Sequence, residues 1–180
     1  MSPTSCAPTA AATPCGDWRL DAARSRVRFE GRSLWGLHPV RGRFTHVRGD
    51  AELRADGTAS GVLLLEAASL TTGRARRDAH LRSGAFFDTE HHRDFAFRAD
   101  RVTPGPDDRV TVHGHLTIRG ITRPITCLAT RDDAAPEVLT LHTEIPIPHR
   151  EFGLRWNPLG MIRPTTTTHL TLRFTHSPLP

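Results

Sequence analysis

Apolar and polar residues alternate with a period of two along most of the chain. Val27 and Phe29 stand between Arg26, Arg28 and Glu30, and Val40, Gly42 and Phe44 alternate with Arg41 and Arg43, a pattern that runs on less regularly through Ala51 and Leu53. Successive side chains of a strand point to opposite faces, so this period predicts strands with one buried and one wet face. The Asp56-Gly57 hairpin signal leads into a nearly continuous apolar strand from Gly61 to Ala67. Phe95, Phe97 and Ala99 share one face of a further strand, and Pro104 to Asp108 is a turn. The cleanest alternation sets Val110, Val112, Gly114, Leu116 and Ile118 against Thr111, His113, His115, Thr117 and Arg119. Ile125 to Thr130, Val138 to Ile145 and the threonine-rich run Thr165 to Thr175 complete the series.

About eight strands at short spacing predict an all-β fold, either a closed antiparallel barrel or a sandwich, and sustained one-sided alternation favours the barrel. One stretch breaks the pattern. Residues 76 to 88 carry helical logic: Arg77 and Leu81 are four apart, as are Asp78 and Arg82, the latter predicting an ion pair along one face. Gly84 then ends the turn and sends Phe86 and Phe87 toward a buried surface. A single charged helix in a β chain predicts a cap on the barrel.

Composition changes this picture little. The chain has 180 residues, enough for one sizeable domain, and no apolar run approaches the ~20 residues of a membrane-spanning helix. Every one of the 24 basic residues is arginine, giving a formal net charge of +5. They are scattered and aromatics are few, which argues against nucleic-acid binding. Residues 1–16 are small residues and proline, read as a disordered tail; they lack the charged and apolar regions of a secretory signal, so the expected location is cytoplasmic. Cys6 and Cys15 lie in that tail. Cys127 shares a strand face with Ile125 and Ala129 and reads as a buried structural thiol.

Candidate chemistry is sparse. His113 and His115 fall on the polar face of their strand with no third ligand to name, so no metal site is expected, and His91-His92 is a weaker pair still. His80, on the helix between Asp78 and Arg82, is either a group at the pocket rim or part of the helix-to-barrel contact. No serine has a nucleophile-elbow context and no phosphate-cradling glycine loop is present, so neither a catalytic set nor a cofactor is expected. Glu66 and Glu144 lie in apolar strands; a carboxylate facing the interior would be an acid or base with a raised pKa, and one facing solvent would be ordinary. Phe152 and Trp156 flank a turn-rich segment that either folds over a ligand at the mouth or closes the core.

Five separated segments resemble one family. They are Val40 to Phe44, Ser69 to Gly73, Arg77 to Ser83 with Phe86 to Asp88, Gly114 to Pro124, and Arg150 to Gly153, and together they are similar to the YceI-like family over about residues 17 to 175. The resemblance implies an eight-stranded antiparallel lipocalin-like barrel over residues 17–176, with a short helical insert at its mouth. It also implies binding of a polyisoprenoid or similar long amphiphilic lipid, such as a polyprenol or quinone, and it carries no catalytic residues. Many members have a secretion signal, from which this chain departs. The positions expected to line the pocket are Val27, Phe29, Phe44, Leu64, Phe95, Phe97, Val112, Leu116, Ile118 and Leu172, with Gly42 and Gly114 leaving room. Arg77, His80 and Arg82 are candidates for a head group at the rim. An enzyme of the same barrel using Glu66, and a protein-interaction scaffold, are the alternatives; a homodimer is left open.

Overall fold

The computed structural model describes residues 13–33, 38–154 and 164–177. Eleven strand segments make one closed antiparallel sheet: β1 (Gly16–Leu20), β2 (Arg26–Ser33), β3 (His38–Phe44), β4 (Val47–Leu53), β5 (Ala59–Glu66), β6 (Leu70–Thr71), β7 (Asp94–Pro104), β8 (Arg109–Ile118), β9 (Ile121–Ala135), β10 (Val138–Pro148) and β11 (Thr165–His176). Three pairs of segments are halves of interrupted strands. β1 and β2 both pair with β11, β3 and β4 with β2 and β1, and β5 and β6 with β4 and β3. The segments therefore build the eight-stranded barrel that the alternation predicts, closed where β11 meets β1 and β2. Closure leaves the sheet without the long open edges that invite aggregation.

The two ends differ. At one, hairpins at 54–58, 105–108 and 136–137 turn the chain within a few residues. At the other, helix α1 (Ala75–Arg82) and a 3-10 turn (His149–Phe152) cross the opening. The helix ends where expected: the Ser83 N–H donates to Ala79 O and His80 O, and the chain then turns so that Phe86 is buried.

β9 and β10 splay apart toward the capped end. Their ladder runs only to Thr143 and Ala129, where the Thr143 hydroxyl donates to Leu128 O at 2.8 Å. Beyond it stand Pro146 and Pro148, which supply no N–H and are tolerated at a strand edge. Phe152 and Leu154, 0% and 5% exposed, fill the gap. Gly153 makes this possible: its φ of +68° is in the left-handed region, and a Cβ there would stand 3.0 Å from Ile121 Cδ1. Phe152 thus closes the core; Trp156 and Cys6 lie outside the described residues.

Candidate functional site: a capped apolar tunnel

A cavity of about 550 Å³ runs the length of the barrel. Its wall extends from Gly57, Pro104 and Arg131 at the hairpin end, past Leu63, Phe97, Leu116 and Leu141, to Leu154, His80 and His149 under the cap. Inward residues of all eight strands supply the lining, which is overwhelmingly aliphatic and aromatic. A chain of ring contacts crosses the capped half: Phe29 to Phe44 at 5.8 Å, Phe44 to Phe95 at 5.6 Å, Phe95 to Phe87 at 4.9 Å and Phe87 to Phe86 at 4.6 Å between centroids. Offset and edge-on rings at these distances add to their burial and fix the shape of the wall.

Most of the expected lining faces the cavity: Phe29, Phe44, Phe95, Phe97, Val112, Leu116, Ile118 and Leu172 all border it. Leu64 does not. β5 pairs Leu63 with Phe97 and Leu65 with Phe95, so Leu64 points to the outer wall between Arg48 and Ala96, and Leu63 and Leu65 take the inward places. Val27 faces in but is only 1% exposed, sealed between its register partners Phe44 and Leu170, so it belongs to the filled core rather than the cavity wall. Gly42 is not an empty place either. The Phe29 ring lies on it, and a Cβ at Gly42 would come within 2.2 Å of that ring. Gly114 faces the β7 bulge, where its Cβ would meet Arg98 O.

The helix is held by its polar face. The Asp78 carboxylate accepts from the Thr71 hydroxyl at 2.9 Å, the Thr72 N–H at 2.8 Å and the Thr72 hydroxyl. Burial alone would raise its pKa, but the hydrogen bonds from Thr72 and Thr71 outweigh it and hold the carboxyl below the ordinary value. Arg77 donates through Nε to the Thr72 hydroxyl at 2.8 Å while still bordering the cavity. Arg82 corrects the expectation. Its guanidinium donates to Leu70 O at 2.5 Å and does not border the cavity, so it ties the helix to β6 instead of forming the expected ion pair with Asp78 or reaching a head group. The Arg119 guanidinium closes the far side on Gly84 O at 3.1 Å.

A polar pole stands beneath the cap. His80 and His149 both lie beside Phe86, each with its ring centroid 6.3 Å from that ring. His149 Nε2 is 2.7 Å from the Thr166 hydroxyl, and burial pushes its pKa down, so it is neutral near pH 7. Sequence reasoning missed His149 and Thr166. The only signal was the two-residue step Ile145, Ile147, His149 continuing past the prolines. Cys127 borders the cavity midway along the barrel, its thiol pKa raised by burial.

Other candidates lie outside. His113 meets Thr126 at 3.0 Å and His115 meets Asp100 at 2.6 Å, both on the outer wall as expected. Glu66 and Glu144 are also outside, paired with His46 and His169 at 2.9 Å each, so neither is an interior acid. Among the described residues no helix is long and apolar enough to cross a membrane.

Comparison with known proteins agrees with this architecture. The family model described as YceI-like domain matches residues 18–175. A UPF0312 protein of Vibrio vulnificus is 30% identical over 122 residues, 66% of this chain and 64% of its own length, so the chain spans just under two thirds of that relative. Among solved structures, Burkholderia cenocepacia BcnA superposes with a TM-score of 0.77 at 19% identity, covering 86% of this chain and 98% of that one. A polyisoprenoid binding domain from Saccharophagus degradans gives 0.73 at 18%, covering 89% and 98%. At these identities the likeness is one of fold.

Proposed function

The chain belongs to the YceI-like family, and from that premise we propose that it binds and carries one long isoprenoid or similar amphiphilic lipid, such as a polyprenol or quinone. The observation that carries the reading is the continuous apolar cavity between the two ends of the barrel, with His80, His149 and Thr166 together under the cap. Its volume is that of a ligand site, and a long hydrocarbon would remove apolar area from water at roughly 25 cal/mol per Å². The similarity in fold to a polyisoprenoid binding domain supports the same class of ligand.

The polar pole gives the lipid a direction. Its chain lies against Phe97, Leu116 and Leu141, and its head sits under the cap near His80, His149 and Thr166, with Arg77 at the edge. A neutral imidazole beside a hydroxyl both donates and accepts, which suits an alcohol or a carbonyl. The enzymatic alternative loses its acid, because Glu66 is on the outer wall. We read the protein as a carrier.

Native mass spectrometry of the protein purified from its own host, followed by lipid extraction, tests this. A bound lipid of isoprenoid mass is expected, and Leu116→Arg should abolish it while the barrel remains folded by circular dichroism. Recovery of no lipid, together with no uptake of an added polyprenol or quinone, would overturn the reading.

A further inference from the structure

The outer wall beside the cap carries a concentration of positive charge that the barrel itself does not use. Arg28 on β2 and Arg43 on β3 are direct register partners on the outer face. Like charges placed opposite each other across two strands are destabilising, so the sheet gains nothing from this pair. Arg43 pairs on its other side with Thr71, and three residues further Arg74 opens the cap, followed by Arg76. Arg26 adds one more exposed guanidinium on the same face of β2. Among the described residues, none of these five arginines has a carboxylate within ion-pair distance, whereas their neighbour Arg41 is neutralised by Glu30 at 2.9 Å, and Arg19, Arg24, Arg48, Arg54 and Arg98 each have an acidic partner.

The opposite end is acidic on balance, six exposed carboxylates standing against the exposed Arg54, Arg101 and Arg109. Asp17, Asp56, Asp107, Asp108, Asp132 and Glu137 are all exposed around the hairpins. The barrel is therefore electrically polarised along its axis, with its positive side next to the end that holds the polar pole. Arg32 links the two features, since it is exposed on β2 and also borders the cavity.

We propose that this face, built on Arg26, Arg28, Arg43, Arg74 and Arg76, docks on an anionic lipid surface and sets the capped end of the tunnel against the membrane. Charge complementarity selects the partner: a cluster of arginines is attracted to an anionic leaflet, while the acidic hairpin end is repelled and turned to solvent. The carrier reading supplies the reason for docking, but the docking rests on the outer wall and not on the contents of the barrel.

Co-sedimentation with vesicles tests it. The protein should bind vesicles of phosphatidylcholine mixed with phosphatidylglycerol, release as salt is raised, and ignore phosphatidylcholine alone. The double substitution Arg28→Ser/Arg43→Ser should weaken that binding roughly 25-fold, at about five-fold per arginine. Arg101→Ser/Arg109→Ser, exposed arginines of the hairpin end, should leave it unchanged. The Arg28/Arg43 variant should melt no lower than the parent and purify with the same lipid content, which a merely structural role for the pair would not allow. Equal vesicle binding by parent and variant would overturn the proposal, as would no binding at low salt, or binding by these arginines to heparin but not to vesicles. Vesicle binding by a protein that carries no lipid would sink the carrier reading and leave the docking intact.

Discussion

The hairpin half and the capped half of the barrel enclose the same tunnel by different means. In the hairpin half, tight turns and regular ladders bring small and aliphatic side chains together, among them Val110, Val112 and Ala129. In the capped half the ladder between β9 and β10 stops, and long-range pieces take over: Phe152 in the gap, the ring chain from Phe29 to Phe86, and a helix tied down through Asp78. Local pairing makes a wall, and inserted aromatics and buried hydrogen bonds make a chamber with a polar end. The half that is harder to build is the one that holds the candidate head-group site.

Three tests bear on that contrast. The largest effect is expected at Phe95, which touches both Phe44 and Phe87. Phe95→Ala should cost about 3–5 kcal/mol, against about 2 kcal/mol for Val112→Ala in the hairpin half, measured by urea unfolding of delipidated protein. Equal losses would erase the distinction.

Next is Asp78→Ala, which leaves the Thr71 and Thr72 donors without their buried acceptor and should cost about 3 kcal/mol. The loss should be local: hydrogen exchange should rise across residues 70–93 while β8 stays protected. Because the Asp78 pKa is depressed, its contribution is present above the ordinary carboxylate value and is lost as pH falls through the lowered one. The parent should therefore loosen its cap in acid, and the variant should show no such step.

The smallest effect is at the exposed pair Asp88 and His91, 2.8 Å apart. The hydrogen bond and charge of Asp88 raise the His91 pKa, and the hydrogen bond from His91 lowers that of Asp88. Both contributions are present between the ordinary carboxylate and imidazole values, about 4 to 6.5. As pH rises through the raised His91 value its part is lost. The unfolding midpoint should fall slightly between about pH 6 and 8, and His91→Gln should flatten that slope.

The same contrast governs what could be read from the chain. Alternation placed Val112, Leu116, Ile118, Phe95 and Phe97 on the correct face, because each has polar neighbours that mark the other side. It failed at Leu64, where Val62 to Leu65 are all apolar and parity becomes visible only through pairing with β4 and β7. Helical spacing likewise misplaced Arg82, whose position suggested an ion pair with Asp78 or a head group, whereas its guanidinium binds the carbonyl of buried Leu70. His149 lies beyond two prolines in a turn, and only the fold brings it to Thr166, which follows it by 17 positions. The strand walls were legible in both halves because alternation is a local pattern, and the polar pole was not because its members are assembled from distant turns.

The seam where β11 pairs with β1 and β2 ties the first strands of the barrel to its last. A chain emerging from the ribosome therefore has no tunnel until residues 165–176 are out. Without that seam the remaining strands can form at most an open sheet with two free edges and a bare apolar face. Any occupant of the tunnel must therefore enter a chain whose seam has closed, and the interval before closure, not the mature barrel, is when this chain most needs protection from aggregation.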